Sequence, residues 1–244
     1  MLAPKVHSWT PSDNVHSAER LAYFEWLTGE LKRIPGISGV RHDVSRHANR
    51  HINALFELKY DPKSEDSGVI LQRFVQLELA PDTIHATVQQ PVTSLVHDAL
   101  SLDQLTGYID NRPKALACAH PMVTLLGKLD AICNQHSKQS DPSRYIRHFE
   151  DAHHIISAIP SLPALPDRMT VQALAAFMRA DGQIRRSYNA HDEAFTLPDA
   201  EDRASLEAAH RVLHTWYWGR RVSLMDACAT IQAWLTRENL FSLP

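Results

Sequence analysis

The sequence predicts an α+β protein, with a small mixed or antiparallel sheet early in the chain and a helical bundle after it. Three observations carry that reading. Apolar residues alternate in two segments between positions 51 and 80. From Pro121 onward they recur instead at three- and four-residue steps. Breaker residues, such as Asp61-Pro62 and the proline-rich "IPSLPALPDR", fall between these segments and not inside them.

The first element is a helix. "SAERLAYFEWLTGELKRI" (17–34) spaces Leu21, Phe24, Leu27 and Leu31 along one face, with Ser17 at its start and Pro35-Gly36 at its end. "HINALFELKY" (51–60) alternates, with Ile52, Ala54, Phe56 and Leu58 on one side, and predicts a strand. "VILQRFVQLELA" (69–80) predicts a second strand antiparallel to it, and "TIHATVQQP" a third, shorter one. After an irregular stretch, "KALACAH" (114–120) predicts a brief buried strand. "PMVTLLGKLDAICNQH" then opens a helix on Pro121. "DPSRYIRHFEDAHHIISAI" predicts the next, with Asp141 as N-cap and Pro142 as first helical residue. Three further helices are expected near 171–187, 199–218 and 223–236. The expected division is an α/β region over 1–120 and a helical region over 121–244.

Composition narrows the function classes. A 44% hydrophobic and 22% charged chain with net charge -3 is ordinary for a globular protein, with no global charge suited to nucleic acid or anionic membrane. Cys118, Cys133 and Cys228 form no C-x-x-C and predict free thiols in a reducing compartment. With no long apolar run and no signal-peptide core at the N-terminus, the expectation is a cytoplasmic protein that avoids membranes. The 8 glycines include no adjacent pair and no Gly-x-Gly, which excludes Rossmann and Walker phosphate loops.

Three places could carry chemistry. "SRYIRHFEDAHH" (143–154) holds Arg144, Arg147, Asp151 and His154 at helical steps, with His148 beside the row. Arginine forks on such a face suit an anionic ligand. A solvated helix face with local charge pairs accounts for the same pattern. A zinc site fits poorly, because His148, Asp151 and His154 at i, i+3 and i+6 spread over too wide an arc. Lys128, set among Leu125, Leu126, Leu129 and Ile132, is either a snorkelling core-edge lysine or a point charge for phosphate. Glu78 in "VQLEL" is either sheet decoration or a carboxylate at the floor of a site.

Taken in order, "TLLGKLDAI", "RYIRHFEDAHHI", the strand pair and the helical tail resemble the AbiEii/AbiGii toxin family. That family belongs to the polymerase-beta-like nucleotidyltransferases. The resemblance implies a partial nucleotidyltransferase fold, with Lys128 and Asp151 as catalytic residues. It implies substrate contacts from Arg144, Arg147 and His148, and Glu78 as a metal ligand. The implied activity is NMP transfer from an NTP with Mg2+, possibly to tRNA, in a toxin–antitoxin system of the abortive-infection, phage-resistance type. A cognate antitoxin would then be a partner. The sequence departs from the family at its start, for it has no Gly-Gly-Ser/Thr and no Asp-x-Asp. "SEDSG" (64–68) lies between two strands and lacks a second aspartate at the right offset. "DAED" (199–202) fits a helix N-cap region.

The expectation is therefore a truncated chain, inactive alone, whose incomplete sheet leaves a free edge or apolar surface for a homodimer or partner. Two alternatives stand beside it. One is a non-catalytic remnant that binds nucleotide, RNA or protein, and the other is a helical interaction domain whose charged faces are solvent shells.

Overall fold

The computed structural model describes residues 2–9, 14–43, 53–60, 74–80, 84–93, 98, 112–213 and 221–241. The protein is α+β, and it forms two compact units, Met1–Thr83 and Ile84–Pro244.

The first unit has helix α1 (Ser17–Leu31) and strands β1 (Ile37–His42), β2 (Ala54–Tyr60) and β3 (Phe74–Leu79). The strands form an antiparallel sheet in the order β1-β2-β3. β2 is central and nearly all buried, as its alternating pattern predicts for one face only. On that face Phe56 sits opposite Leu77, Ala54 opposite Leu79 and Leu58 opposite Val40. Phe24 of α1 packs onto Phe56 from above. The other face is covered in part by charge, where Arg41 of β1 forks onto the directly paired Glu57.

Two details differ from expectation. β1 is a strand that "ISGVRH" hardly announces, since a glycine and two basic residues break its alternation. The buried stripe of α1 also begins at Arg20, not Leu21, and runs through Phe24 to Leu31. Arg20 is fully buried and donates to Ser8 O at 2.8 Å. The turn after α1 passes through Gly36 at φ 87°, a conformation open to glycine at little cost. β1 and β3 are the outer strands of this sheet, and Val75 on β3 is 53% exposed.

The second unit begins with a separate two-stranded antiparallel ribbon, β4 (Thr87–Gln90) and β5 (Leu116–Ala119). The sequence grouped this hairpin with the earlier strands, whereas here it clusters with the helices. β5 is not a buried strand. Leu116 is 48% exposed, because a two-stranded ribbon has no second layer on its outer face.

Six α-helices follow among the described residues. They are α2 (Pro121–Ser137), α3 (Arg147–Ala158), α4 (Val171–Ala180), α5 (Glu193–Thr196), α6 (Ala200–Leu213) and α7 (Leu224–Glu238). Their shared core includes Leu125, Leu129 and Ile132 of α2, Phe149 of α3, Leu174 of α4, Phe195 of α5 and Trp234 of α7, each 1% exposed or less. α2 packs on α3, α3 on α7, and α5 and α6 both meet α7.

Helix ends follow local chemistry. Pro121 starts α2. Ser223 Oγ accepts from Asp226 N at 3.1 Å at the start of α7. Asp199 accepts from the backbone of Glu201 and Asp202, as "DAED" suggests. α4 stops at Ala180 and does not reach Ser187, since Gly182 turns at φ 75° and Gln183 N closes onto Met178 O. Positions 214–218 of the predicted α6 and the turn with "SEDSG" lie outside the described residues.

One predicted helix is two pieces. Asp141 is the N-cap, its Oδ1 accepting from Ser143 N at 2.9 Å, but the helix it starts is a 3-10 turn, Pro142–Arg144. Tyr145 then breaks the run at φ -132°. Tyr145 and Ile146 are 3% and 0% exposed, so burying this pair outweighs continuing the α-helical ladder from Pro142. α3 begins only at Arg147.

Candidate functional site

The site predicted from "GKLDAI" and "RYIRHFEDAHH" lies where α2 packs on α3. Leu125, Leu126, Leu129 and Ile132 are all fully buried and fix the rotation of α2. Lys128 falls at the edge of that face, with its side chain 23% exposed. Its Nζ donates to Asp151 Oδ2 at 2.6 Å. The ammonium has two further N–H donors, which remain available for an acceptor. Burial opposes ionisation of Asp151, but His148 and Lys128 outweigh it and hold the carboxyl down at about 2. His148 Nδ1 is 3.9 Å from the carboxylate, too long for a hydrogen bond, so the Lys128 contact dominates. Arg147, one turn before Asp151 on α3, is exposed and forms no ion pair among the described residues.

The predicted row of charges does not stay together. Arg144 belongs to the 3-10 turn and is not on α3. His154 lies 3.9 Å from Glu150, and His153 Nδ1 is 2.9 Å from Thr230 Oγ1 of α7. The structure thus brings together Lys128, Asp151 and His148, keeps Arg147 beside them, and separates His154 from the group.

Glu78 is exposed on β3, in the other compact unit. Among the described residues, the one group of three converging potential metal ligands includes neither Glu78 nor Asp151.

Mg2+ takes near-octahedral oxygen ligands, usually with one or two carboxylates and several waters. On this face Asp151 is a single carboxylate already engaged by Lys128. The next acid, Glu150, faces elsewhere and is bound by Arg221. The donors at Asp151 do not fit the ion, and no catalytic step through Mg2+ follows from them.

Sequence reasoning missed a bidentate ion pair in this unit. Glu150, 5% exposed in its side chain, takes Arg221 as a fork: Nε to Oε1 at 2.8 Å and Nη2 to Oε2 at 2.7 Å. Val222 N adds a bond at 3.3 Å, and His210 stands 3.8 Å away. The residues are 71 apart in sequence, and no local pattern signals such a pair. It ties α3 to the approach of α7. Asp130 is another hidden acid, accepting from Arg185 N at 2.9 Å.

Cavities among the described residues of this unit include two away from the pair. One, of about 150 Å³, is lined by His136, Gln139, Tyr145 and Asp202, and the other, of about 200 Å³, by His210, Arg211 and Met225. Neither has Lys128 or Asp151 in its wall. The Lys128 and Asp151 side chains are 23% and 33% exposed, so the pair reaches the surface.

Comparison with protein-family models, curated proteins and solved structures gives no match to this chain. No helix among the described residues is long and apolar enough to cross a membrane.

Proposed function

We propose that the α2–α3 face binds a phosphate-bearing ligand, a nucleotide or an RNA end, as the substrate side of an AbiEii-type nucleotidyltransferase. The observation that carries the reading is the 2.6 Å contact between Lys128 and Asp151. Two segments selected from the sequence for the same chemistry meet at these two residues. Asp151 orients the ammonium, the remaining Lys128 donors point the charge at a phosphate oxygen, and Arg147 adds a bidentate fork. This is recognition, and transfer of NMP is not part of the proposal for this chain alone. The resemblance implies tRNA and a cognate antitoxin as partners, and a homodimer would supply further groups. The three free cysteines, two of them buried, support a reducing, cytoplasmic setting.

Filter binding with labelled NTPs and total tRNA at low salt tests the reading. Lys128→Ala and Arg147→Ala are expected to weaken binding about tenfold each and to flatten its salt dependence. Absence of affinity for both probes overturns the proposal and leaves the pair as a tie between helices. Incorporation of labelled NMP into tRNA with Mg2+, lost in Lys128→Ala and Asp151→Ala, would replace binding with catalysis.

A further inference from the structure

The first unit holds a cluster of side chains that the α2–α3 site does not use. His7 comes from the segment before α1, His16 immediately precedes the helix and Glu19 lies in its first turn. The spacing His16-x-x-Glu19 puts the two on one face. His7 arrives from outside the helix. Its backbone N–H donates to Glu19 Oε2 at 2.9 Å, and its Nδ1 is 3.0 Å from both carboxylate oxygens. His16 Nδ1 is 3.2 Å from Glu19 Oε1. One potential ligand atom from each residue lies within 4.8 Å of the other two. The bond from buried Arg20 to Ser8 O holds the adjoining backbone against the helix.

The geometry points to a zinc-class divalent cation site built from His7 Nδ1, His16 Nδ1 and a Glu19 carboxylate oxygen. Zinc binds imidazole nitrogen and carboxylate oxygen at about 2.0–2.2 Å, so a tetrahedral edge spans about 3.3–3.4 Å. The nitrogen–oxygen separations of 3.0 and 3.2 Å fall within a few tenths of an ångström of that edge. Small side-chain rotations open the remaining distance.

Two imidazoles with one carboxylate select zinc and its first-row neighbours over Mg2+ or Ca2+, which prefer all-oxygen shells. The fourth position goes to water, and the His7 side chain, 53% exposed, leaves a path for the ion. The N-terminal end of a helix disfavours a cation by a few tenths to about 1 kcal/mol. The formal charge of Glu19 counters that effect directly. Without metal, His7 Nδ1 is hydrogen-bonded to the Glu19 carboxylate. Binding needs both Nδ1 lone pairs, so any proton there moves to Nε2 or is released. The bound ion would staple the His7 segment to α1.

Calorimetric titration of the full chain with Zn2+ near neutral pH tests the site. The expected result is one equivalent with a dissociation constant of about 10 µM or tighter. His7→Ala, His16→Ala and Glu19→Gln should each weaken it at least about tenfold. Exposed His191→Ala, a control for adventitious histidine binding, should leave it unchanged. Co2+ should give a tetrahedral d–d absorption that His7→Ala abolishes. His7 is exposed, so its replacement leaves the helical circular dichroism intact and the loss of binding readable. The proposal is overturned if no equivalent binds tighter than about 100 µM, or if the equivalent survives in His7→Ala.

Discussion

Lys128 Nζ and Asp151 Oδ2 stand 2.6 Å apart across 23 residues of chain, and this contact registers α2 against α3. Both side chains reach solvent, so screening keeps the pair near the surface range. Asp151→Asn and Lys128→Met are each expected to lower stability by about 1 kcal/mol. A double-mutant cycle in urea should give a coupling of similar size. Additive effects of the two changes would show that the contact has no energetic weight.

Acid should expose the same pair. The Asp151 carboxyl is lowered from 3.8 to about 2 in the folded protein, so the unfolded state binds its proton first. The stabilisation is therefore complete above about pH 4 and is lost as pH falls from 4 towards 2. Asp151→Asn should flatten that limb of the stability profile and leave the region above pH 5 parallel to wild type. An unchanged acid limb would assign the titration elsewhere.

Glu150 and Arg221 carry more weight because their side chains are only 5% and 10% exposed. Burial opposes ionisation of Glu150, and the guanidinium outweighs it, keeping the carboxyl below its ordinary range. Arg221→Met leaves a charge without its main partner and should cost about 3 kcal/mol. Glu150→Gln/Arg221→Met together should recover part of the loss, as measured by chemical denaturation. Equal destabilisation by the single and double variants would contradict the pairing argument.

Thiol labelling separates the cysteines. Burial pushes the Cys228 thiol up to about 12 and the Cys133 thiol higher still. Cys118 on β5 is only half-buried. Iodoacetamide near neutral pH, read by mass spectrometry, should modify Cys118 first and reach the other two only on unfolding. Rapid labelling of Cys133 in the native protein would mean that the helical core opens locally.

Much of the fold was legible because its causes are local. Alternation announced β2 and β3, apolar spacing announced α1 and α7, and Pro121 announced the start of α2. Ser17, however, is the first residue of α1 and not its cap, a position that falls to His16 with no side-chain bond. β1 was illegible for the same reason. "ISGVRH" has no clear pattern of its own and becomes a strand by pairing with β2. Tyr145 shows the converse, since a sound local signal for continuous helix from Pro142 gives way to burial of Tyr145 and Ile146.

At the candidate site, the sequence by itself determined that Lys128 stands on α2 and that Arg147 and Asp151 share a helix, but not that Arg144 leaves that helix. Lys128 had to fall at the edge of an apolar stripe, and Arg147 and Asp151 one turn apart. Only the tertiary structure decided their partners: Asp151 for Lys128, Arg221 for Glu150, and Thr230 for His153. The periodicity of a helix is set within a few residues, whereas an ion pair between helices depends on the packing that brings distant turns together. That packing is a property of the whole core, and no short segment contains it.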